Sequence, residues 1–427
     1  MNQSLFIRGA RICDPSQKID SVGNVLISDG KIEAIGVLAA PENCEIIEAQ
    51  GLICAPGLVD LHVHLRDPGQ TQKEDIFSGC RAAAAGGVTS LLAMPNTSPA
   101  LDSPEVIREL LHRAENADAH VYIAAAITKG LGGHDATDLD AVKAAGAIAL
   151  SDDGRPVVDT RILAQAMCRA PELGMTVTAH CEDLFLAAGG KMHEGSVSRE
   201  LGIPGIPSAA EDAGTAREIA LAAAYHVPVH ICHVSTATSV ALIRDAKRRG
   251  VAVTAETCPH YFSLTEDALR TRDADFRMNP PLRTDADRDA ILEGLFDGTL
   301  DAIATDHAPH TPEEKSDFLA APNGSIGMET SLAASLSVLY HQHGMPVRKI
   351  IQLMSCRPAQ LLGIPAGTLA PGANADLVLF DPQCRWIVNP DELHGKSRNT
   401  PFKGMELTGR VEMTICRGKT VFHRCMC

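Results

Sequence analysis

The chain has 427 residues, 45% of them hydrophobic and only 4% aromatic, so the core must be built from aliphatic side chains. That length accommodates one large α/β domain plus a smaller unit. A formal net charge of −15 lacks the basic face that nucleic-acid binding requires, whereas a small anionic substrate stays compatible because salt screens a distant acidic surface.

The chain opens on Met1-Asn2-Gln3-Ser4 and runs directly into a strand-like segment, so no secretory signal is expected. Residues 5–9, 25–28 and 32–35 read as short strands, with Asp29-Gly30 as a hairpin turn. The middle of the chain then alternates apolar runs with alanine-rich amphipathic stretches such as 209–225 and 237–249. Candidate strands occupy 58–65, 88–94, 120–127, 147–150, 175–179, 229–234, 251–256 and 301–305. Continuous apolar strands alternating with helices imply a parallel sheet. Eight such repeats imply a (β/α)8 TIM-type barrel rather than an open doubly wound sheet. Strand patterns return at 375–380 and 411–416. Two β-rich ends around a different middle predict a small β-sandwich domain from 1–54 and 366–427, beside a barrel domain of 55–365. No apolar run reaches membrane-spanning length, and no membrane association is expected. The 13 cysteines form no regular framework, which predicts free thiols and a cytoplasmic location. Cys181 and Cys232 read as packing residues that point away from the face addressed by His180 and His233.

Chemistry-capable residues gather where these strands end. His62 and His64 sit two apart at the end of the first strand, and period-2 alternation aims both imidazoles the same way. The second strand ends in Asn96, the fourth in Asp152-Asp153, the fifth in His180 and the sixth in His233. The eighth ends in Asp306-His307-Ala308-Pro309-His310. In a closed barrel all these ends lie on one rim, where such barrels build active sites. His62, His64, His180, His233, Asp153 and Asp306 form a nitrogen and oxygen donor set suited to Zn²⁺ or another divalent transition metal. Six donors exceed one open tetrahedral site and suit two metals sharing a bridging carboxylate. Metal-assisted hydrolysis of an amide-type bond is the reaction class this implies. Arg66 follows the histidine pair and offers a fork for a carboxylate.

The segments DLHVHLRDPG (60–69), AMPNT (93–97), SDDG (151–154), AHCED (179–183), CHVST (232–236), AETCPH (255–260), MNPPLR (278–283), ATDHAPH (304–310) and NTPFKG (399–404) span most of the chain. On these residues the chain resembles the amidohydrolase superfamily, and closely the type I bacterial dihydroorotases. The resemblance implies reversible cyclisation of N-carbamoyl-L-aspartate to (S)-dihydroorotate in pyrimidine biosynthesis. It implies two zinc ions, one held by His62 and His64 and the other by His180 and His233, with Asp153 bridging. Asp152 is the alternative bridge. Asp306 would ligate the first zinc and act as catalytic base and acid. Arg66, Asn96 and His310 would hold the substrate carboxylate, with His64 beside them. Asn279 and the backbone at Asn323 and Gly324 would meet the ring, although position 323 departs from the aromatic common in the family.

Hydantoinases and dihydropyrimidinases carry a carboxylated lysine at the end of strand four; here Lys143 lies earlier, so none is expected. The segment 311–330 either closes over substrate or stays static. His260 is expected to support a ligand or the rim. A homodimer and an association with aspartate carbamoyltransferase follow as expected partners. Two rival functions are another cyclic amidase on the same fold and a non-catalytic scaffold; Arg66 with Asn96 opposes the first, and the full ligand set opposes the second.

Overall fold

The computed structural model describes residues 4–424. Eight barrel strands, here β1 to β8, span Leu58–Val63, Val88–Ala93, His120–Ala125, Ala149–Leu150, Thr176–Ala179, Val229–Ile231, Val253–Thr257 and Ala302–Ile303. They pair in chain order as one parallel sheet. The ring closes between β1 and the segment after β8, where the His64 amide donates to the His307 carbonyl at 2.8 Å. Asp60 reinforces this seam. Its carboxylate accepts from the Thr305 amide at 3.1 Å, the Thr305 hydroxyl at 2.6 Å and the His62 amide at 3.2 Å.

All eight expected strands are present, but most end before the apolar pattern does. Arg66, His233 and Asp306 adopt φ angles of 58°, 37° and 47°. These left-handed conformations are uncommon for residues with a Cβ, and they interrupt strand pairing where side chains must be aimed at the rim. Helices follow the strands, among them Ser208–Tyr225 and Ala237–Arg248, within a residue of the expected spans. Gly214 sets how closely the first of these approaches β5. A Cβ there would meet the Glu182 nitrogen at 2.6 Å and the Cys181 carbonyl carbon at 2.7 Å.

The two chain ends hydrogen-bond into one eight-stranded, largely antiparallel sheet. Its separate core takes Ile12 and Ile32 from one end of the chain and Leu377, Leu379 and Ile415 from the other. Side chains from distant strands share that cluster, so the two chain ends build one β unit, as expected. Its strand Ile53–Pro56 joins the two ends, pairing with Leu377–Ile387. Residues between Leu377–Ile387 and Glu406–Cys416 return to the barrel: the Ser397 hydroxyl donates to the Lys73 carbonyl at 2.8 Å, and Asn399 Nδ2 to the Gly324 carbonyl at 3.0 Å. Among the described residues no helix is long and apolar enough to cross a membrane.

Asp60→Ala leaves two buried amides and a hydroxyl unpaired at the barrel seam. We expect it to destabilise the fold by about 3 kcal/mol, read as a lower urea midpoint.

Candidate metal centre and active site

Four imidazoles converge on Asp153. Its Oδ1 lies 3.2 Å from His62 Nε2 and 3.6 Å from both His180 Nδ1 and His233 Nε2; its Oδ2 lies 3.5 Å from His64 Nε2. Asp306 Oδ1 is 3.0 Å from His64 Nε2 and 3.7 Å from His62 Nε2. The six residues expected as ligands, carried by the ends of β1, β4, β5, β6 and β8, therefore meet at one place. None is more than 6% exposed.

This donor set fits divalent metal. Donor atoms of His62, His64 and Asp153 lie within 4.8 Å of one another, as do those of Asp153, His180 and His233, so Asp153 belongs to both groups. His62 Nε2 and Asp153 Oδ1 are buried without a hydrogen-bond partner. Orphaned buried polar atoms are costly unless something else satisfies them. Burial disfavours charge on each group, yet Asp153 and Glu256 lift His62 well above its ordinary pKa. Against the same burial, the histidines hold Asp153 far below the usual carboxylate range and Asp306 at about 2. Both acids are thus ionised, the form that ligates.

Asp152 is turned elsewhere. Its carboxylate accepts from the Ile127 amide at 2.7 Å, the Thr128 amide at 3.1 Å and the Thr128 hydroxyl, anchoring the loop after β3.

Two further acids stand behind the histidines, and the sequence reading missed both. Glu256 Oε1 is 3.5 Å from His62 Nδ1, and its Oε2 is 3.2 Å from His230 Nε2. Glu182 Oε2 is 3.3 Å from His180 Nε2. The available signal was spacing, since Glu182 follows His180 by two, as His64 follows His62. The expectation for the two cysteines holds for Cys181, which packs in the main core. Cys232 is also buried and absent from the cavity wall, with its sulfur within 4.8 Å of His62 and Glu256 donor atoms. His260 stacks edge-on against Tyr261 at 4.2 Å, and its Nε2 has no hydrogen-bond partner.

A cavity of about 250 Å³ opens onto the centre, lined by His64, Arg66, Asn96, Asp153, His180, His233, Asn279, Asp306, His310, Asn323 and Gly324. Only His62, fully buried, is absent from its wall among the expected site residues. Arg66 does not pair with Asp67 or Glu74. Asp67 is held by Arg113 through two 2.7 Å bonds, and Glu74 accepts from the Lys396 amide at 3.2 Å. Arg66 instead donates through Nε to the Pro309 carbonyl at 3.1 Å, and its Nη2 lies 3.4 Å from His310 Nε2. Burial lowers the His310 pKa to about 3, with Arg66 and Lys73 adding to the effect. His310 is therefore neutral, and Arg66 carries the positive charge.

Asn96 is engaged within the site: its Oδ1 is 2.7 Å from His64 Nδ1, and its Nδ2 donates to Asp153 Oδ2 at 3.2 Å. One amide hydrogen is left for a ligand. Asn323 turns its side chain to Arg277 and presents its carbonyl to His310 Nε2 at 2.9 Å. Gly324 has φ 138°, and a Cβ there would meet Ala308 at 2.8 Å and His310 Nε2 at 3.0 Å. The 311–330 segment is tied down by Lys315, whose ammonium donates to the carbonyls of Ala274, Arg277 and Pro322 at 2.9–3.1 Å.

Comparison with known proteins agrees with this geometry. The dihydroorotases of Citrifermentans bemidjiense and Geobacter metallireducens are each 48% identical to the chain, covering 98% and 99% of it and 100% of their own lengths. The chain belongs to the dihydroorotase family. A family profile described as Dihydro-orotase-like matches residues 51–239. Among solved structures, dihydropyrimidinase from Brevibacillus agri is 27% identical with a TM-score of 0.86, covering 99% of this chain and 95% of that one. L-hydantoinase (dihydropyrimidinase) from Arthrobacter aurescens is 25% identical with a TM-score of 0.87, covering 99% and 96%. At the end of β4 this chain of the dihydroorotase family places Asp153 among the imidazoles, while Lys143 lies on the preceding helix Leu139–Ala145.

Asp153→Asn removes the charge that two histidine pairs share, and we expect metal affinity to fall at least about tenfold. Asp152→Asn should keep metal content within about twofold of the parent but lower stability by about 1–3 kcal/mol. Metal analysis after dialysis, with thermal melts, separates the two.

Proposed function

We propose that the chain is a zinc-dependent dihydroorotase that interconverts (S)-dihydroorotate and N-carbamoyl-L-aspartate in pyrimidine biosynthesis. The observation that carries this reading is that His64, His180 and His233, the ionised Asp306 and the unpaired charge of Arg66 line one cavity. His62 and His64 with Asp306 would hold one zinc, His180 and His233 the other, and Asp153 both. A divalent metal supplies Lewis acidity, making water nucleophilic near neutral pH and polarising a carbonyl.

The chain's own residues do the rest. Arg66 and His310 seat the substrate carboxylate, the arginine matching its charge and the neutral imidazole contributing a hydrogen bond. Asn96 adds its free amide hydrogen while holding His64. Asp306 accepts the proton released as water oxygen bonds to the ring amide carbon. It then delivers that proton to the departing ring nitrogen as the carbon–nitrogen bond breaks. In reverse, Asp306 takes a proton from the ureido nitrogen as that nitrogen bonds to the carboxyl carbon, and returns it to the departing oxygen, which leaves as water as its carbon–oxygen bond breaks; the second proton of that water comes from solvent, which protonates the carboxyl group before closure. Asn279 and the backbone at Asn323 and Gly324 face the ring.

The same proposal assigns the division into 1–54 with 366–427 and 55–365, a cytoplasmic location, a homodimer and an association with aspartate carbamoyltransferase. Light scattering and co-purification test the last two.

Three measurements test the chemistry. On a panel of dihydroorotate, hydantoin and allantoin, only dihydroorotate should turn over; hydrolysis of hydantoin alone would end the assignment. Asp306→Asn should keep its metal and lose about 10²- to 10⁴-fold in kcat. Arg66→Ala should raise KM about 30-fold, corresponding to about 2 kcal/mol for a lost charged contact.

A further inference from the structure

Glu182 stands between the metal centre and a cavity wall. One carboxylate oxygen lies 3.3 Å from His180 Nε2, and the other accepts from Asn279 Nδ2 at 3.0 Å. The side chain is only 8% exposed. The close approach of Gly214 to the Cys181–Glu182 peptide holds its backbone against helix Ser208–Tyr225.

The chemistry of the two neighbours constrains what can stand there. His180 turns Nδ1 toward Asp153 and His233. When Nδ1 ligates a metal, the ring proton sits on Nε2, which must find an acceptor. Asn279 Nδ2 is a donor in any state. Glu182 therefore faces two donors, and an ionised carboxylate presents an acceptor oxygen to each. With Nδ2 committed, the Asn279 amide cannot rotate. Its Oδ1 is buried without a protein partner, and Asn279 lines the cavity. A carbonyl oxygen left in that condition favours a ligand N–H.

We infer that Glu182 is a positioning residue acting in two directions, holding His180 in its metal-binding tautomer and holding Asn279 with its acceptor free for an N–H of the ligand. The metal half stands on the donor geometry alone. The ligand half rests on the function proposed above, where the donor is a ring or ureido N–H.

Glu182→Gln preserves shape but leaves one acceptor oxygen for two donors. Metal affinity, read by competition with a chromophoric chelator and needing no substrate, should fall 10- to 100-fold. KM for dihydroorotate should rise about tenfold or more, with a smaller change in kcat. The KM effect should shrink to below about twofold when Glu182→Gln is placed in an Asn279→Ala background, because the partner it acts through is gone. Metal affinity and KM both within about twofold of the parent in a folded Glu182→Gln protein would overturn the inference. So would an equal rise in KM in both backgrounds. If circular dichroism finds Glu182→Gln unfolded, Glu182→Asp, one methylene shorter, is judged by the same limits. A parent protein that turns over no dihydroorotate would sink the proposed function, while the chelator measurement would still decide the role of Glu182 at the metal.

Discussion

A buried carboxylate surrounded by imidazoles is the constraint around which this molecule is arranged. Asp153 is 4% exposed and lies within 3.6 Å of nitrogens from His62, His64, His180 and His233. An ion so far from water is tolerated only when positive or polar groups compensate it from several sides. Those groups come from β1, β5 and β6, whose ends must stay in register with β4. The barrel provides that register, and its closing seam at Asp60 and Thr305 holds β8 and Asp306 against β1.

The same demand explains the local backbone. Arg66, His233 and Asp306 depart from strand geometry into left-handed conformations as they leave the barrel. Strain of this kind persists where surrounding structure over-determines it, and here it aims side chains into a shared cavity. Around the histidines sits an outer ring of acids. Glu256 faces His62 and His230, Glu182 faces His180 and Asn279. Such outer partners fix which imidazole nitrogen is free to ligate. The centre and the cavity wall are thereby one hydrogen-bonded assembly, with Asn96 joining His64 to Asp153 on the other side.

Much of this was legible beforehand. The eight strands follow from apolar runs separated by amphipathic helices, and the six donors follow from their places at strand ends. Where the pattern misled, a side chain or turn had intervened. The strands were read too long because an apolar side chain continues the pattern after the backbone has turned. Nothing in the local sequence of Cys232 reveals that His62 and Glu256 lie beside it across the barrel.

The sequence by itself determined the barrel, the β unit drawn from both chain ends and the set of chemistry-capable residues at the strand ends. These follow from periodicity and from residue chemistry, which are local properties. The tertiary structure set Asp153 among the imidazoles and turned Asp152 to the Ile127–Thr128 loop, a difference between adjacent acids that no local pattern shows. It also decided that Arg66 keeps its charge for the cavity, since its acidic neighbours in sequence are taken by Arg113 and by the segment near Lys396. Both outcomes depend on partners distant in the chain, and hydrogen-bond competition among such partners exists only once the barrel is closed.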